Sequence, residues 1–417
     1  MYVLYFSLDK QRKGIAGNTD NGTCLCYIYG LEIRDRMRYY IIAGEASGDL
    51  HGSNLVKQLR QTDGSAEIRA WGGDLMQKQG VELVKHYRDL AFMGFAEVIK
   101  HLPTIFRNID FCKKDILSFK PDVLILIDYP GFNLRIAKFA KAAGLKVVYY
   151  ISPQVWAWKA SRVHLIKRVV DRMMVILPFE KGFYAKYDYT ADFVGHPLLD
   201  VISETKPNRD FFISSHNLYD KPIVALLPGS RKQEILTMLP IMVKTAESFP
   251  QYQFVIAAAP SALGEWYVDF LEQRNIKIVY DKTYSLLQNS VAALVASGTA
   301  TLEAALWGVP EVLCYKTKGF GGTISYHIAK QLVGKRLKFI GLVNLIMERE
   351  VTRELIQHDL TVENLVMELT KLLNDPAYIA RMKDDYKLVR EKLGGPGASA
   401  KAAQIVAEVI APLQKTA

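Results

Sequence analysis

No stretch of this chain is apolar for long enough to cross a membrane: the longest runs, such as 123–127, stop far short of the roughly 20 residues a bilayer demands. A transmembrane helix is therefore not expected. Cysteine is scarce as well. Of the four, Cys24 and Cys26 sit together while Cys112 and Cys314 stand alone, which gives neither a disulfide framework nor the spacing of a four-ligand zinc site. A reducing, cytoplasmic setting fits. The chain also lacks both G-x-G-x-x-G and G-x-x-x-x-G-K-[ST], which weakens the ordinary dinucleotide oxidoreductase and P-loop NTPase readings. It shows no internal repeat and no low-complexity tract.

What is present is a chain of 417 residues, 50% hydrophobic, with a formal net charge of +10 and a pI ≈ 9.1. That length is too great for one ordinary core and makes two domains natural. The positive balance admits nucleic acid, anionic lipid, an anionic substrate or simply a positive surface. Residues 1–36 do not read as a signal peptide, because Asp9, Lys10, Arg12 and Lys13 follow the apolar start and no small-residue cleavage site comes after an apolar core. Met37 opens the first clean strand-loop-helix unit. The core is expected to begin there, with 1–36 as an extension from an upstream start codon.

From residue 39 short apolar runs alternate with longer helical stretches, the pattern of parallel βαβ units. Strands are expected at 39–43, 122–127, 146–150, 173–177 and 192–194. A polar connector around Pro207 follows, and then a second series at 223–227, 253–258, 277–280, 292–296 and 311–315. These make two α/β halves. Beyond about residue 319 the sequence reads as helices, and Gly394-Gly-Pro-Gly397 sets off a last segment that can pack back on the first half.

In open α/β sheets ligands bind beyond the carboxyl ends of the strands, so the loops there carry most information. The first, 43–49, holds Gly44, Glu45, Ser47, Gly48 and Asp49; it is either a tight turn with Asp49 as a helix cap or a place of substrate contact. In the second, Asp128 stands just past an apolar strand and ahead of Pro130, where a carboxylate either forms a turn or takes a proton from a hydroxyl. The third carries Gly229, Ser230 and Arg231, which suit an anion such as a diphosphate through backbone N–H groups and a guanidinium fork. In the fourth, Ser297, Gly298 and Thr299 open a helix with Glu303 one turn in, and the arrangement fits phosphate at the turn and ribose at the carboxylate. Phe92, Phe95, Ile99, Leu102 and Phe106 fall at helical spacing, with Met93 beside them. They form either an apolar face for acyl chains or a membrane, or an ordinary core-facing helix. Trp156 and Trp158 follow another strand and receive no role beyond packing.

Taken together, these loops resemble one family: lipid-A-disaccharide synthase, an inverting glycosyltransferase. The resemblance runs from Met37 onward through the loop at 43–49, Leu90-Ala-Phe-Met-Gly-Phe-Ala-Glu-Val98, Asp128-Tyr-Pro-Gly-Phe-Asn133, Ser152-Pro-Gln-Val-Trp-Ala-Trp158, Leu177-Pro-Phe-Glu180, Gly195-His-Pro197, Leu227-Pro-Gly-Ser-Arg231 and Ala296-Ser-Gly-Thr299. The Ser-Gly-Thr turn with Glu303 would alone indicate only a GT-B transferase or an epimerase of that fold.

The resemblance implies a GT-B fold, two Rossmann-like domains with parallel sheets facing a cleft, divided as 37–215 (acceptor and lipid side), 216–385 (UDP-sugar side) and a helix in 386–417 that returns to the first domain. It implies that UDP-2,3-diacylglucosamine and 2,3-diacylglucosamine 1-phosphate are joined to a β(1→6) disaccharide with release of UDP, at the cytoplasmic face of an inner membrane with anionic lipid. No metal or other cofactor and no nucleic acid are implied. It also makes Asp128 the base and associates Arg231, Glu303, Asn344 and Gln357 with UDP binding or activity. Family members can form homodimers that exchange C-terminal segments. One departure stands out: Gly131 occupies the place of a second carboxylate found in many relatives, which concentrates the base role on Asp128. Two alternatives stay open from the residues themselves, another UDP-sugar enzyme such as a 2-epimerase, and a nucleotide-sugar binding protein without catalysis.

Overall fold

A computed structural model describes residues 36–90, 102–158, 160–204, 208–259, 262, 264–271, 276–317 and 338–414. Residues 1–35, and with them the expected extension, lie outside the described residues. The first sheet contains β1 (Arg38–Ala43), β2 (Glu67–Gly72), β3 (Glu82–His86), β4 (Val123–Ile127), β5 (Lys146–Tyr150), β6 (Arg172–Val175) and β7 (Asp192–Phe193). The second contains β8 (Ile223–Leu227), β9 (Gln253–Ala258), β10 (Lys277–Tyr280), β11 (Ser290–Ala296), β12 (Glu311–Tyr315) and β13 (Arg353–Ile356). Among the described residues all the pairings are parallel. The orders are β3-β2-β1-β4-β5-β6-β7 and β10-β9-β8-β11-β12-β13.

Central strands such as β4, Val-Leu-Ile-Leu-Ile, are buried at every position because helices cover both faces of a parallel sheet. Such runs announce themselves in sequence. β2, β3 and β13 do not, since they carry Glu67 and Arg69, Glu82 and Lys85, or Arg353 and Glu354 among few apolar residues. β3 and β13 are edge strands, where charge blunts further pairing. The stretch after residue 338 is thus not helical throughout; β13 lies within it.

Each sheet has one place where the strand order reverses direction, between β1 and β4 in the first and between β8 and β11 in the second. Ligands enter α/β sheets at such switch points. The loops at 43–49, 127–133, 227–231 and 296–299 follow β1, β4, β8 and β11, the four strands that flank the two reversals.

The halves share apolar packing: Leu177, Leu198 and Leu199 of the first lie in one core with Leu302 and Leu306 of the second. Trp156 joins that core from its edge, its ring T-shaped on Phe179 at 5.0 Å. The helix Pro376–Leu393 belongs to the second half, where Met382, Tyr386, Val389 and Leu393 are buried. Gly394 and Gly397, with φ of 85° and 108°, then break the chain, and the helix Ala398–Gln414 lays Ala402, Ala403, Val406 and Ile410 on the first sheet. The return therefore falls at 394–397 and not within the preceding helix at residue 386. Asp200 fixes it by accepting the N–H groups of Gly397 (2.5 Å), Ala398 (3.3 Å) and Ser399 (3.0 Å). Among the described residues no helix is long and apolar enough to cross a membrane.

Candidate functional site

At the end of the first sheet the backbone is strained. Asp128 and Tyr129 take φ of 42° and 48°, and Ile151, at the end of the adjacent β5, takes 64°. None is glycine. A side chain in the left-handed region costs on the order of 1–3 kcal/mol, and such residues gather where function requires a fixed direction. Burial, with Glu45 as a nearby negative charge, raises the Asp128 carboxyl to about 7, while the Tyr129 N–H pulls the other way. At neutral pH a good part of this acid is ionised and able to take a proton.

The register places Ala43 of β1 beside Ile127 of β4, so the next residues of the two loops meet. Gly44 has no room for a side chain because the Tyr129 ring covers it. Glu45, half-buried at the start of the helix Ala46–Thr62, has its carboxyl raised by burial, opposed by the Arg231 guanidinium of the second half. Ser47 is exposed and Gly48 backs closely onto Ala43. Asp49 is corrected as a sugar contact. It is 3% exposed and its oxygens already accept N–H groups from Gly73 (2.8 Å), Leu75 (3.0 Å) and Met76 (3.0 Å). It caps the helix Asp74–Lys78 and ties the loop after β1 to the loop after β2. Gly131, by contrast, has open space where a side chain would stand.

Across from this, the loop after β8 needs glycine at 229. Its φ is 108°, and an added Cβ would lie 2.6 Å from the Glu234 carboxylate. Glu234 accepts the N–H groups of Ser230 and Arg231, both at 3.3 Å, and meets the Arg231 guanidinium at 3.4 Å. The expectation that this loop offers backbone N–H groups to a diphosphate is therefore corrected for Ser230 and Arg231, whose N–H groups an internal carboxylate occupies. The Arg231 guanidinium, whose side chain is 57% exposed, is open to a ligand. In the loop after β11, the Ser297 N–H is held by Cys314 at 2.9 Å, whereas Gly298 and Thr299 are exposed where the helix Thr299–Leu306 begins. First-turn N–H groups have no partner within their own helix and suit an anion. Glu303 is half-buried beside Tyr284. Burial raises its carboxyl to about 7, and no hydrogen bond to it occurs among the described residues.

Two residues implied by resemblance behave otherwise. Asn344 is wholly buried and saturated: its Nδ2 donates to the Thr352 carbonyl (2.8 Å) and Glu354 (2.9 Å), and its Oδ1 accepts from the N–H groups of Val351 (2.7 Å) and Thr352 (3.0 Å). It staples the helix Leu342–Met347 to the start of β13 and has nothing left for UDP. Gln357 does not lie in a helix but follows β13 with φ of 54°, at the carboxyl end of the sheet. Its amide is committed to Thr317, donating to the hydroxyl at 2.7 Å and accepting the N–H at 3.4 Å.

Of the apolar stripe, Phe92, Met93, Phe95 and Ile99 lie outside the described residues, and of the Leu102 side chain nothing is described. Phe106 is 52% exposed under the Arg135 guanidinium, so the core-facing reading fails there. The core face of the helix Leu102–Phe119 is instead Ile109, Cys112, Ile116 and Phe119. Sequence reasoning missed Glu180, a wholly buried acid raised by desolvation to about 7 that accepts the Leu177 N–H at 3.0 Å. Its place three residues after Leu177, with Pro178 between, is the spacing of a helix cap and was the available signal.

Comparison with known proteins identifies the family and the fold. The family profile described as Lipid-A-disaccharide synthetase matches residues 39–409. A lipid-A-disaccharide synthase of Geobacter metallireducens is 40% identical over 379 residues, 89% of this chain and 97% of that protein. One of Coxiella burnetii is 37% identical over 375 residues, 89% of this chain and 98% of that protein. Among solved structures, the UDP-GlcNAc 2-epimerase from Neisseria meningitidis bound to UDP-GlcNAc has a TM-score of 0.65 at 13% identity, covering 89% of this chain and 100% of that one. The Methanocaldococcus jannaschii UDP-GlcNAc 2-epimerase in complex with UDP-GlcNAc and UDP has a TM-score of 0.61 at 14% identity, covering 89% and 100%. At such identities the epimerases share the fold alone.

Proposed function

The chain belongs to the lipid-A-disaccharide synthase family of glycosyltransferases, and from that premise we propose a chemistry for its cleft. The substrates are UDP-2,3-diacylglucosamine and 2,3-diacylglucosamine 1-phosphate. Asp128 takes the proton of the acceptor's 6-hydroxyl as that oxygen attacks the anomeric carbon of the UDP-sugar. The bond from that carbon to the diphosphate breaks, UDP leaves with the electron pair, and the configuration inverts to β. Arg231 and the helix start at Thr299 face the departing diphosphate and stabilise its charge without a cation. Glu303 accepts hydrogen bonds from the ribose. Ser47 and Glu45 lie on the acceptor side.

The observation that carries this reading is Asp128: an acid raised to about 7 and held in the left-handed region at the β1/β4 switch point. For the surroundings, the reading places the enzyme on the cytoplasmic face of an inner membrane. The exposed Phe106, Phe111 and Leu117, on a helix that also carries Arg107, Lys113 and Lys114, support contact with anionic lipid. Exchange of C-terminal helices between two copies would turn at 394–397, and light scattering tests it against a monomeric mass. Purified protein supplied with both acylated sugars is expected to release UDP and form disaccharide. Turnover of UDP-N-acetylglucosamine alone, without the pair, would refute the assignment.

A further inference from the structure

We propose that Tyr149 and Asn133 are positioning residues for Asp128, gripping its backbone carbonyl from two sides so that the acid keeps its left-handed conformation. The inference rests on the reading of Asp128 as the base. Tyr149, on β5, donates its hydroxyl to the Asp128 carbonyl at 2.5 Å, and Asn133, in the first turn of the helix Pro130–Ala142, donates Nδ2 to the same oxygen at 2.8 Å. The Asn133 amide also reaches the Ile127 carbonyl at 3.1 Å and the Ile42 carbonyl at 3.5 Å, so the ends of β4 and β1 are drawn to one point. The Asp128 N–H completes the hold by donating to the Tyr150 carbonyl at 3.3 Å.

Both side chains are wholly buried, which makes routine satisfaction of buried polar groups the competing explanation. The Asn133 Oδ1 argues against it, because that atom is buried with no partner among the described residues. The amide is turned to serve carbonyls at the expense of its own acceptor. Burial also holds the Tyr149 phenol well above its ordinary value, so it stays a donor throughout the working range. A grip on the main chain beside the carboxyl fixes where that carboxyl stands, and reacting groups displaced by an ångström lose much of their rate.

Tyr149→Phe in the full-length protein removes one hydroxyl and keeps the ring. We expect kcat with the two acylated sugars to fall about tenfold while KM and UDP affinity stay the same, since one buried hydrogen bond is lost and no ligand contact is touched. Combined with Asp128→Ala, the tyrosine change should add no further loss, because it acts only through that acid. Asn133→Ala, run alongside in case the tyrosine variant folds poorly, should behave in the same way. Wild-type kcat in folded protein, or a full additional loss in the Asp128→Ala background, would overturn the positioning role. Undiminished activity of Asp128→Ala itself would instead overturn the base assignment on which the role depends.

Discussion

The two sheets solve the same problem, how to end a strand at a switch point, in different ways. After β4 the left-handed positions are filled by Asp128 and Tyr129; after β8 the position is filled by Gly229. Glycine adopts that region without strain and lets backbone and neighbouring side chains approach closely, as Glu234 does. Where a particular side chain is needed at the turn, the protein accepts the strain and offsets it with hydrogen bonds from Tyr149 and Asn133. The first sheet thus presents a directed acid, and the second presents a turn, a guanidinium and a carboxylate awaiting a partner.

The largest expected effect tests this division directly. Asp128→Ala should lower kcat at least about a hundredfold with little loss of UDP affinity, as removal of a general base does. Turnover gives the first quantity and calorimetry the second; equal losses in both would erase the contrast between the sheets. On the other side, Arg231→Ala should weaken UDP binding by about ten- to a hundredfold, the worth of a charge-assisted hydrogen bond. Unchanged affinity there would remove the guanidinium from the diphosphate.

A third test concerns carboxylates of the second half. Glu303 borders the cleft, but Glu311 on β12 is wholly buried with neither oxygen partnered among the described residues, and burial holds its carboxyl well above the ordinary range. The native state keeps this group protonated, whereas the unfolded chain ionises it above the ordinary glutamate value of 4.5. Stability tied to it is therefore full in acid and lost as pH rises above that value. Glu311→Met should stabilise the protein by about 1–2 kcal/mol at pH 8 and flatten the slope, read as denaturant midpoints across pH.

Smaller effects sharpen the picture of the first sheet. Glu45→Gln removes the like charge that helps raise Asp128, so the acid limb of the kcat/KM profile should move to lower pH. A limb that stays in place would show that burial alone sets the acid. Gly131→Asp should change stability by less than about 0.5 kcal/mol, because open space surrounds that position. A larger drop in melting temperature would contradict the geometry of the turn.

The sequence made the central strands and the four switch-point loops legible because continuous apolar runs and the glycine, serine or proline that ends them are local signals. β2 and β13 were hidden by their charges. Asp49 and Asn344 were not legible for another reason: a short polar side chain looks the same in sequence whether it waits for a ligand or is consumed by backbone groups, and the partners of Asp49 lie on another element. The grip on Asp128 was invisible for the same cause, since Tyr149 reads as one more apolar strand residue and its hydroxyl acquires meaning only through the neighbouring strand.

The return of the chain at 394–397 bears on how the molecule is made. One face of the first sheet, lined by Ile41, Ile125, Tyr150 and Met174, is completed by Ala402, Ala403, Val406 and Ile410. Those residues leave the ribosome after the whole of the second half. At about 5–20 residues per second, the roughly 200 residues between the end of the first half and that helix take about 10–40 s to synthesise. Through that interval the older half can close the core on one face of its sheet from its own residues, while the other face waits for its last cover, so the order of birth does not set the order of completion.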